Sequence, residues 1–362
     1  MHDVAVVGAG PAGATLARLL GAAGADVLLL ERCALPRPKP CGGGLTRRSL
    51  DLLPAEARAL VRVWCPGVAV SHRGRMLRLR SPTPAVGLVR RSEFDACLVD
   101  LAAAQGAQVL QRAPVTAARA LPDGVELTAG GRLVRARLLA CADGTTGPFS
   151  GPMGAAVGLP GRPPRIGAVE AEIEDPGGRW GDEPRGDFDL LPGGYGWVFP
   201  QDGVLSVGVA SWAGPSGGRL RQTLQEYLRR LGLEQRRVLA LAGHPIPVGG
   251  RLPPSALAGP AAIRLGDAAG LCDPLFGEGI AHALAGAHLA LHPLLQGRPE
   301  AYAYAVEEAL YPKFRLAAGL SRLFYAAPQP WLALARAWPR LADRLYTAAV
   351  RGTGAPEPPA GG

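Results

Sequence analysis

A chain of 362 residues, 48% hydrophobic and only 19% charged, has material for about two domains with buried cores. Such a composition excludes a disordered chain. No apolar run approaches the ~18 residues that a membrane span requires. The first strand-like run begins at Val4, which leaves no room for a cleaved leader, so a cytoplasmic globular protein is expected. Six cysteines (Cys33, Cys41, Cys65, Cys97, Cys141, Cys272) form no C-x-x-C pair, which argues against a disulfide scaffold or a structural zinc site. The formal charge is +9, and only Lys39 and Lys313 among the 39 basic residues are lysines. The arginines run along the whole chain without a concentrated stretch, so nucleic acid is not expected as a partner. A membrane surface or a phosphorylated substrate stays open.

The opening is the most informative stretch. Val4-Ala5-Val6-Val7 reads as a buried strand. Gly8-Ala9-Gly10-Pro11-Ala12-Gly13 follows, then a helical pattern through Leu16, Leu19 and Leu20, and a second strand from Val27 to Leu30 that ends at Glu31. Strand, G-x-G-x-x-G, helix, strand and acid in this order form the dinucleotide fingerprint. Gly8 makes the tight turn, Gly10 admits a pyrophosphate to the backbone, and Gly13 allows close helix–strand packing. The helix N-terminus offers N–H groups and a positive dipole end to phosphate. Glu31 can accept from a ribose, with Arg32 beside it.

Further along, Val68–His72 and Met76–Leu79 suggest a hairpin turning at Arg73-Gly74. Ser92 reads as the N-cap of a helix running to about Gln105. Short strands follow between Val109 and Cys141, the last leading into Asp143-Gly144. Ile166–Glu174, Asp187–Leu191, Tyr195–Phe199 and Val204–Ala210 read as antiparallel strands separated by Gly/Pro turns. Arg219–Leu231 reads as an amphipathic helix. Tyr195, Trp197 and Phe199 alternate, so a strand turns all three to one face. They line either a flat substrate tunnel or an ordinary sheet core.

The strand-like Ala262–Leu265 runs into Gly266-Asp267-Ala268-Ala269-Gly270. Asp273, Pro274, Gly277-Glu278-Gly279-Ile280 and a long apolar helix come next. An acid and a Gly-rich turn at a strand end, with a new helix start, suit an extended cofactor. FAD is long enough to touch the first fingerprint with its adenosine half and this turn with its ribityl chain, Asp267 accepting from a hydroxyl. The helix opening near Gly279 aims its dipole at the flavin. No second G-x-G-x-x-G unit appears, so NAD(P)H or another electron donor must bind transiently. The histidines His244, His282, His288 and His292 have no metal-ligand spacing.

Taken together, Val6–Gly13 and Leu265–Gly270 resemble the para-hydroxybenzoate-hydroxylase-type flavoprotein superfamily. Two further motifs resemble its geranylgeranyl reductase branch: Pro36-Arg37-Pro38-Lys39-Pro40-Cys41-Gly42-Gly43-Gly44-Leu45, and Tyr195-Gly196-Trp197-Val198-Phe199-Pro200, the latter followed downstream by Pro274–Ile280. The resemblance covers residues 1–300. It implies an α/β fold: a glutathione-reductase-like FAD-binding Rossmann domain interleaved with an antiparallel β-sheet substrate domain, plus C-terminal helices. The expected FAD-binding domain comprises 1–67, 91–165 and 250–299, and the substrate-binding sheet domain 68–90 and 166–249. A helical region over 300–351, broken once by Pro328 and Pro330, and a disordered tail over 352–362 complete the chain.

The resemblance also implies roles for particular residues. Asp143 and Gly144 match the superfamily's second flavin motif, and Arg91 matches an arginine near the FAD phosphates. Cys41 and Gly42 stand beside the flavin, with Gly43 and Gly44 in the same pocket wall. The usual Ser and Arg after Asp-Gly are replaced by Thr145-Thr146-Gly147-Pro148, so nicotinamide docking at this turn is not implied. Gln201 stands where the branch often has a basic residue. The implied activity is reduction of isolated C=C bonds in a prenyl chain, geranylgeranyl lipid or isoprenoid quinone, with Cys41, Tyr195 or water donating the proton. Two rival readings remain: a flavin-dependent aromatic monooxygenase or halogenase on the same scaffold, and a non-catalytic flavin- or lipid-binding protein. The aromatics and arginines from Glu300 to Ala349 form either a peripheral contact with a bilayer or a plain helical cap. Either a monomer or an oligomer is compatible with the sequence.

Overall fold

A computed structural model of the chain describes residues 1–351 apart from Ala85, Pro176, Arg179, Ala213, Pro215 and Ser216. The tail over 352–362, expected to be disordered, lies outside the described residues. The chain forms two compact units: Met1–Lys39, Arg91–Arg165 and Pro245–Leu320 make the first, and Pro40–Arg90, Ile166–His244 and Ser321–Gly362 the second.

At the centre of the first unit is a parallel sheet. Strand His2–Val7 pairs with Val27–Leu30 on one side and with Arg132–Cys141 on the other, in parallel. Gln108–Leu110 extends the sheet beyond Val27–Leu30, and Ala262–Arg264 pairs with the end of Arg132–Cys141. All four residues of Val27–Leu30 are buried; continuous apolar runs like this one suit strands covered on both faces. The outer half of Arg132–Cys141 turns antiparallel with Gly124–Ala129, which pairs in turn with Val115–Leu121. Helix Pro11–Ala22 starts with Pro at its first position, where the missing N–H costs nothing. The helix expected to begin after a Ser92 cap spans Arg91–Ala104.

The second unit is built on a largely antiparallel sheet in the order Val238–Gly243, Arg165–Glu174, Val204–Ser211, Gly194–Gln201, Arg185–Asp187, Gly67–His72 and Arg75–Arg80, in which Arg185–Asp187 and Gly67–His72 pair in parallel. One face carries Val169, Ala171, Ile173, Val198, Val207 and Val209, sealed by Leu220, Leu224 and Tyr227 of helix Gly217–Arg230. Period-two alternation puts Glu170, Gly208 and Trp197, which pair across adjacent strands, on the opposite face. A small sheet of Gly44–Thr46, Val86–Leu88 and Val63–Cys65 completes the unit.

The units divide the chain at points other than the expected ones. Residues 40–67 cluster with the second unit because Gly44–Thr46 and Val63–Cys65 both pair with Val86–Leu88. The helical region over 300–351 is shared, the boundary falling inside helix Tyr311–Ala326. That region is broken three times rather than once, into Pro299–Ala309, Tyr311–Ala326, Pro328–Ala337 and Pro339–Arg351. Pro328 and Pro330 open the third helix, in its first turn, where proline is tolerated.

Candidate active site

In the first unit the Gly-rich turn is built as its motif requires. A Cβ on Gly8, whose φ is +101°, would lie 2.3 Å from the carbonyl oxygen of Ala142, and one on Gly13 would lie 2.0 Å from that of Gly8. Gly10 differs: a Cβ there would meet nothing within 4 Å. The turn therefore needs glycine for its fold at two positions and presents open space at the third. No side chain caps the helix that starts at Pro11 and Ala12, so its first N–H groups face that space.

Glu31 is buried and accepts the N–H of Ala9 and of Cys33, both at 3.0 Å. Arg37 lies 3.4 Å from Glu31 and 3.3 Å from the fully buried Asp95. Asp95 also takes both arms of Arg91, at 2.8 and 2.9 Å. Arg91 belongs to a buried network of two guanidiniums and two carboxylates. Arg32 is exposed, and its charge acts on Asp143.

The two later flavin motifs meet. Asp143 accepts the Phe149 N–H at 2.9 Å through Oδ2, while Oδ1 is buried without a hydrogen-bond partner. Burial pushes the Asp143 carboxyl up to about 6, against the hydrogen bond and the charges of Arg264 and Arg32. Gly144 is left-handed at φ +77°, as the turn needs. Thr145, where the superfamily pattern departs, donates to Asp267 Oδ2 at 3.4 Å. Gly266 takes φ +54°, and a Cβ there would approach Ala12 to 3.0 Å. The Gly266–Ala269 turn is thus folded against the first fingerprint. Asp273 accepts from Leu275 and Phe276, closing a tight turn around Pro274 and Gly277, whose N–H donates to the Asp273 carbonyl. The Glu278 carbonyl accepts from Asp273 N and from His282 Nδ1. Helix Ile280–Leu295 then opens at Gly279 without a side-chain cap.

Arg264 was missed by sequence reasoning, being read as one more strand residue before Gly266. It is fully buried, and its guanidinium donates to the carbonyls of Phe149, Leu159, Pro160, Gly161 and Ala256 at 2.8–3.0 Å. Four of these bonds hold the segment after Asp143, and the fifth goes to Ala256. The only signal in the sequence is a charged residue inside an apolar run.

In the second unit the two branch motifs come together. A Cβ on Gly42 would sit 2.8 Å from the Phe199 ring, and one on Gly43 would sit 2.0 Å from the Val89 carbonyl. Gly43 is left-handed at φ +70°, and Gly44 lies near the same Phe199 ring. The Cys41–Gly44 loop can thus lie flat on Phe199 only because it carries no side chains there. Gln201 donates Nε2 to the Gly42 carbonyl at 3.1 Å, a use of this position that needs no cation. Cys41 is half-buried; its Sγ accepts the Gly43 N–H at 3.4 Å, and its own N–H donates to Glu170 Oε1 at 3.1 Å. Glu170 was also missed, because alternating acids on a strand read as a solvated face.

Tyr195, Trp197 and Phe199 share a face as expected. Trp197 is buried, its Nε1 donates to Ser206 Oγ at 3.1 Å, and its ring occupies the space above Gly208. Tyr195 is half-buried, with ring centroids 5.8 Å from Trp197, 6.1 Å from Phe188 and 6.2 Å from Tyr325. The first unit thus gathers all the expected cofactor residues except Cys41 and Gly42, which stand in the second unit with the expected substrate residues.

The residues of the first unit fit FAD. Gly10 leaves room at an uncapped helix start, and the orphaned Asp143 Oδ1 matches a hydroxyl donor. A family model described as an FAD binding domain matches residues 1–178. The menaquinone reductase of Mycobacterium tuberculosis is 33% identical over 317 residues, covering 80% of this chain and 75% of its own. The digeranylgeranylglycerophospholipid reductase of Thermoplasma volcanium is 31% identical over 307 residues, covering 78% of this chain and 75% of its own. A crystal structure of a geranylgeranyl bacteriochlorophyll reductase-like protein from Thermoplasma acidophilum superposes with a TM-score of 0.79 at 24% identity, covering 97% of this chain and 92% of its own. Fold and cofactor site define an FAD-dependent oxidoreductase with C-terminal helices. Within that class the chain belongs to the geranylgeranyl reductase family.

Proposed function

We propose that this oxidoreductase saturates isolated C=C bonds in the prenyl chain of a geranylgeranyl lipid or an isoprenoid quinone. The reading is supported above all by the docking of the Cys41–Gly44 loop on Phe199, at the end of the Tyr195–Trp197–Phe199 row. Loop and row are the two motifs that set this branch apart from oxygen-using flavoproteins, and a flat apolar chain suits such a row. Relatives named menaquinone reductase and geranylgeranyl diphosphate reductase agree with it.

FAD, when bound and reduced, would supply the hydride, with NAD(P)H or another transiently bound donor as the source of its electrons. An isolated alkene has no carbonyl to take up charge, so the carbon opposite the hydride needs a proton. Saturation of each bond thus consumes one hydride and one proton. On the aromatic face Cys41 and Tyr195 carry exchangeable protons, and Glu170 holds the Cys41 loop in place. Trp197, buried and tied to Ser206, is a rigid wall for the chain. In the first unit Asp267 and Asp143 would accept from the cofactor's hydroxyls, and Gly10 would admit its pyrophosphate to the start of the helix at Pro11.

The test is single turnover without oxygen. The protein is reduced with dithionite, geranylgeranyl lipid or menaquinone is added, and flavin absorbance and product mass are followed. Reoxidation of the flavin with a two-hydrogen gain in the lipid is expected. A flavin that stays reduced until air enters overturns the proposal: either the enzyme uses oxygen or its substrate is not a prenyl lipid.

A further inference from the structure

The net charge is not spread as evenly as the arginines are. Residues 311–351 carry seven basic side chains against a single carboxylate, Asp343, and so hold six of the nine net positive charges. This concentration comes from missing acids rather than from a run of bases.

The last helix, Pro339–Arg351, shows where the charge points. Ala342, Asp343 and Tyr346 face inward, and Asp343 Oδ1 accepts the backbone N–H of Arg80. Arg340, Leu341, Arg344 and Leu345 face outward, with Leu341 48% and Leu345 63% exposed. The helix thus turns its only acid to the protein and two Arg-Leu pairs to solvent. The preceding helix, Pro328–Ala337, buries Leu332 and exposes Trp331 and Leu334, and Trp338 between the two helices is 58% exposed. The end of helix Tyr311–Ala326 that belongs to the same unit repeats the pattern, with outward Leu323 beside Arg322.

We propose that this face docks on the surface of a bilayer containing anionic lipid. Exposed leucines enter the acyl boundary, the tryptophans sit at headgroup level, and the arginines reach lipid phosphates with their stems along the apolar surface. None of the three helices is long and apolar enough to span a membrane, so the contact is peripheral. The choice of occupant follows from charge: a second copy of the chain would bring the same positive face against this one, whereas an anionic surface complements it. The proposed prenyl substrate, which resides in such a bilayer, adds to this inference but does not carry it.

Full-length protein with bound FAD is sedimented with phosphatidylcholine vesicles containing about one-third phosphatidylglycerol, and with phosphatidylcholine alone. Binding to the anionic vesicles only, released by salt, is expected. Arg340→Gln with Arg344→Gln should weaken the partition by about fivefold per arginine. Leu341→Glu with Leu345→Glu should weaken it at least as much, with flavin content unchanged as the measure of folding. No sedimentation, or sedimentation unaltered in both double variants, overturns the proposal. So does a dimer, detected by light scattering, that Leu341→Glu with Leu345→Glu converts to monomer, since the face would then cover a second copy. No substrate or electron donor is present, so the result is independent of turnover. Reduction of a prenyl lipid by a protein that ignores vesicles defeats only the docking proposal, and vesicle binding without reduction defeats only the prenyl reading.

Discussion

The Cys41 backbone N–H donates to Glu170 at 3.1 Å, although the two residues lie 129 positions apart. Glu170 is buried and pairs across the sheet with Gly208, which in turn pairs with Trp197. One carboxylate therefore ties the Cys41–Gly44 loop to the strand row beside the aromatic residues.

Replacing Glu170 separates its acceptor role from its charge. Glu170→Gln keeps an oxygen for the Cys41 N–H, whereas Glu170→Ala leaves that amide unsatisfied at a cost of about 1–3 kcal/mol. Turnover of Glu170→Ala should fall by roughly tenfold or more, with flavin content intact. Glu170→Gln should recover most of it. Steady-state kinetics on both variants check this, and equal loss in the two would show that the charge itself matters.

Asp143 gives a pH signature in FAD-free protein. Its carboxyl stands near 6 in the fold against an ordinary value of 3.8. The folded state therefore binds its proton before the unfolded state does as pH falls. The Asp143 contribution to stability should improve by about 2–3 kcal/mol between pH 6 and pH 4 and be absent as a trend above pH 7. Asp143→Asn should lose this dependence and be the more stable protein at pH 7. Thermal midpoints of the two apoproteins across that window decide the matter.

Asp267 receives Thr145 Oγ1 at 3.4 Å and lies where a Cβ on Gly279 would be 3.2 Å from its Oδ1. Asp267→Ala should lower FAD occupancy, read as the ratio of flavin to protein absorbance after purification. Full occupancy would remove Asp267 from the cofactor site.

Arg264 ties the segment over 149–161 through four of its backbone carbonyls and holds it to the Ala256 carbonyl through a fifth bond. Lysine has three donors in a different geometry and cannot replace the fork. Arg264→Lys should cost about 2–4 kcal/mol and open the loop to protease. Limited proteolysis and the thermal midpoint measure this, and an unchanged cleavage pattern would assign the loop to other contacts.

What could be read directly from the chain was local and periodic. The turn Gly8–Gly13 with its two flanking strands depends on near-neighbour sterics, and the alternation of Tyr195, Trp197 and Phe199 on the pleat of one strand. Spacing along the sequence carries both. Glu170 has the same alternation as any solvated strand acid, and Arg264 sits in an apolar run that promises only a strand. Their roles arise from partners more than a hundred residues away, Cys41 for one and the Phe149 carbonyl for the other. No spacing rule records such pairings. The same holds for the charge of the last helices, where Asp343 turns inward and accepts the backbone N–H of Arg80. Sequence determined which elements form and which cofactor they suit, through short-range geometry and hydrophobic period. Tertiary structure decided which buried polar groups find partners and which charges remain outside, because burying a polar atom demands a donor or acceptor that only the folded chain can bring.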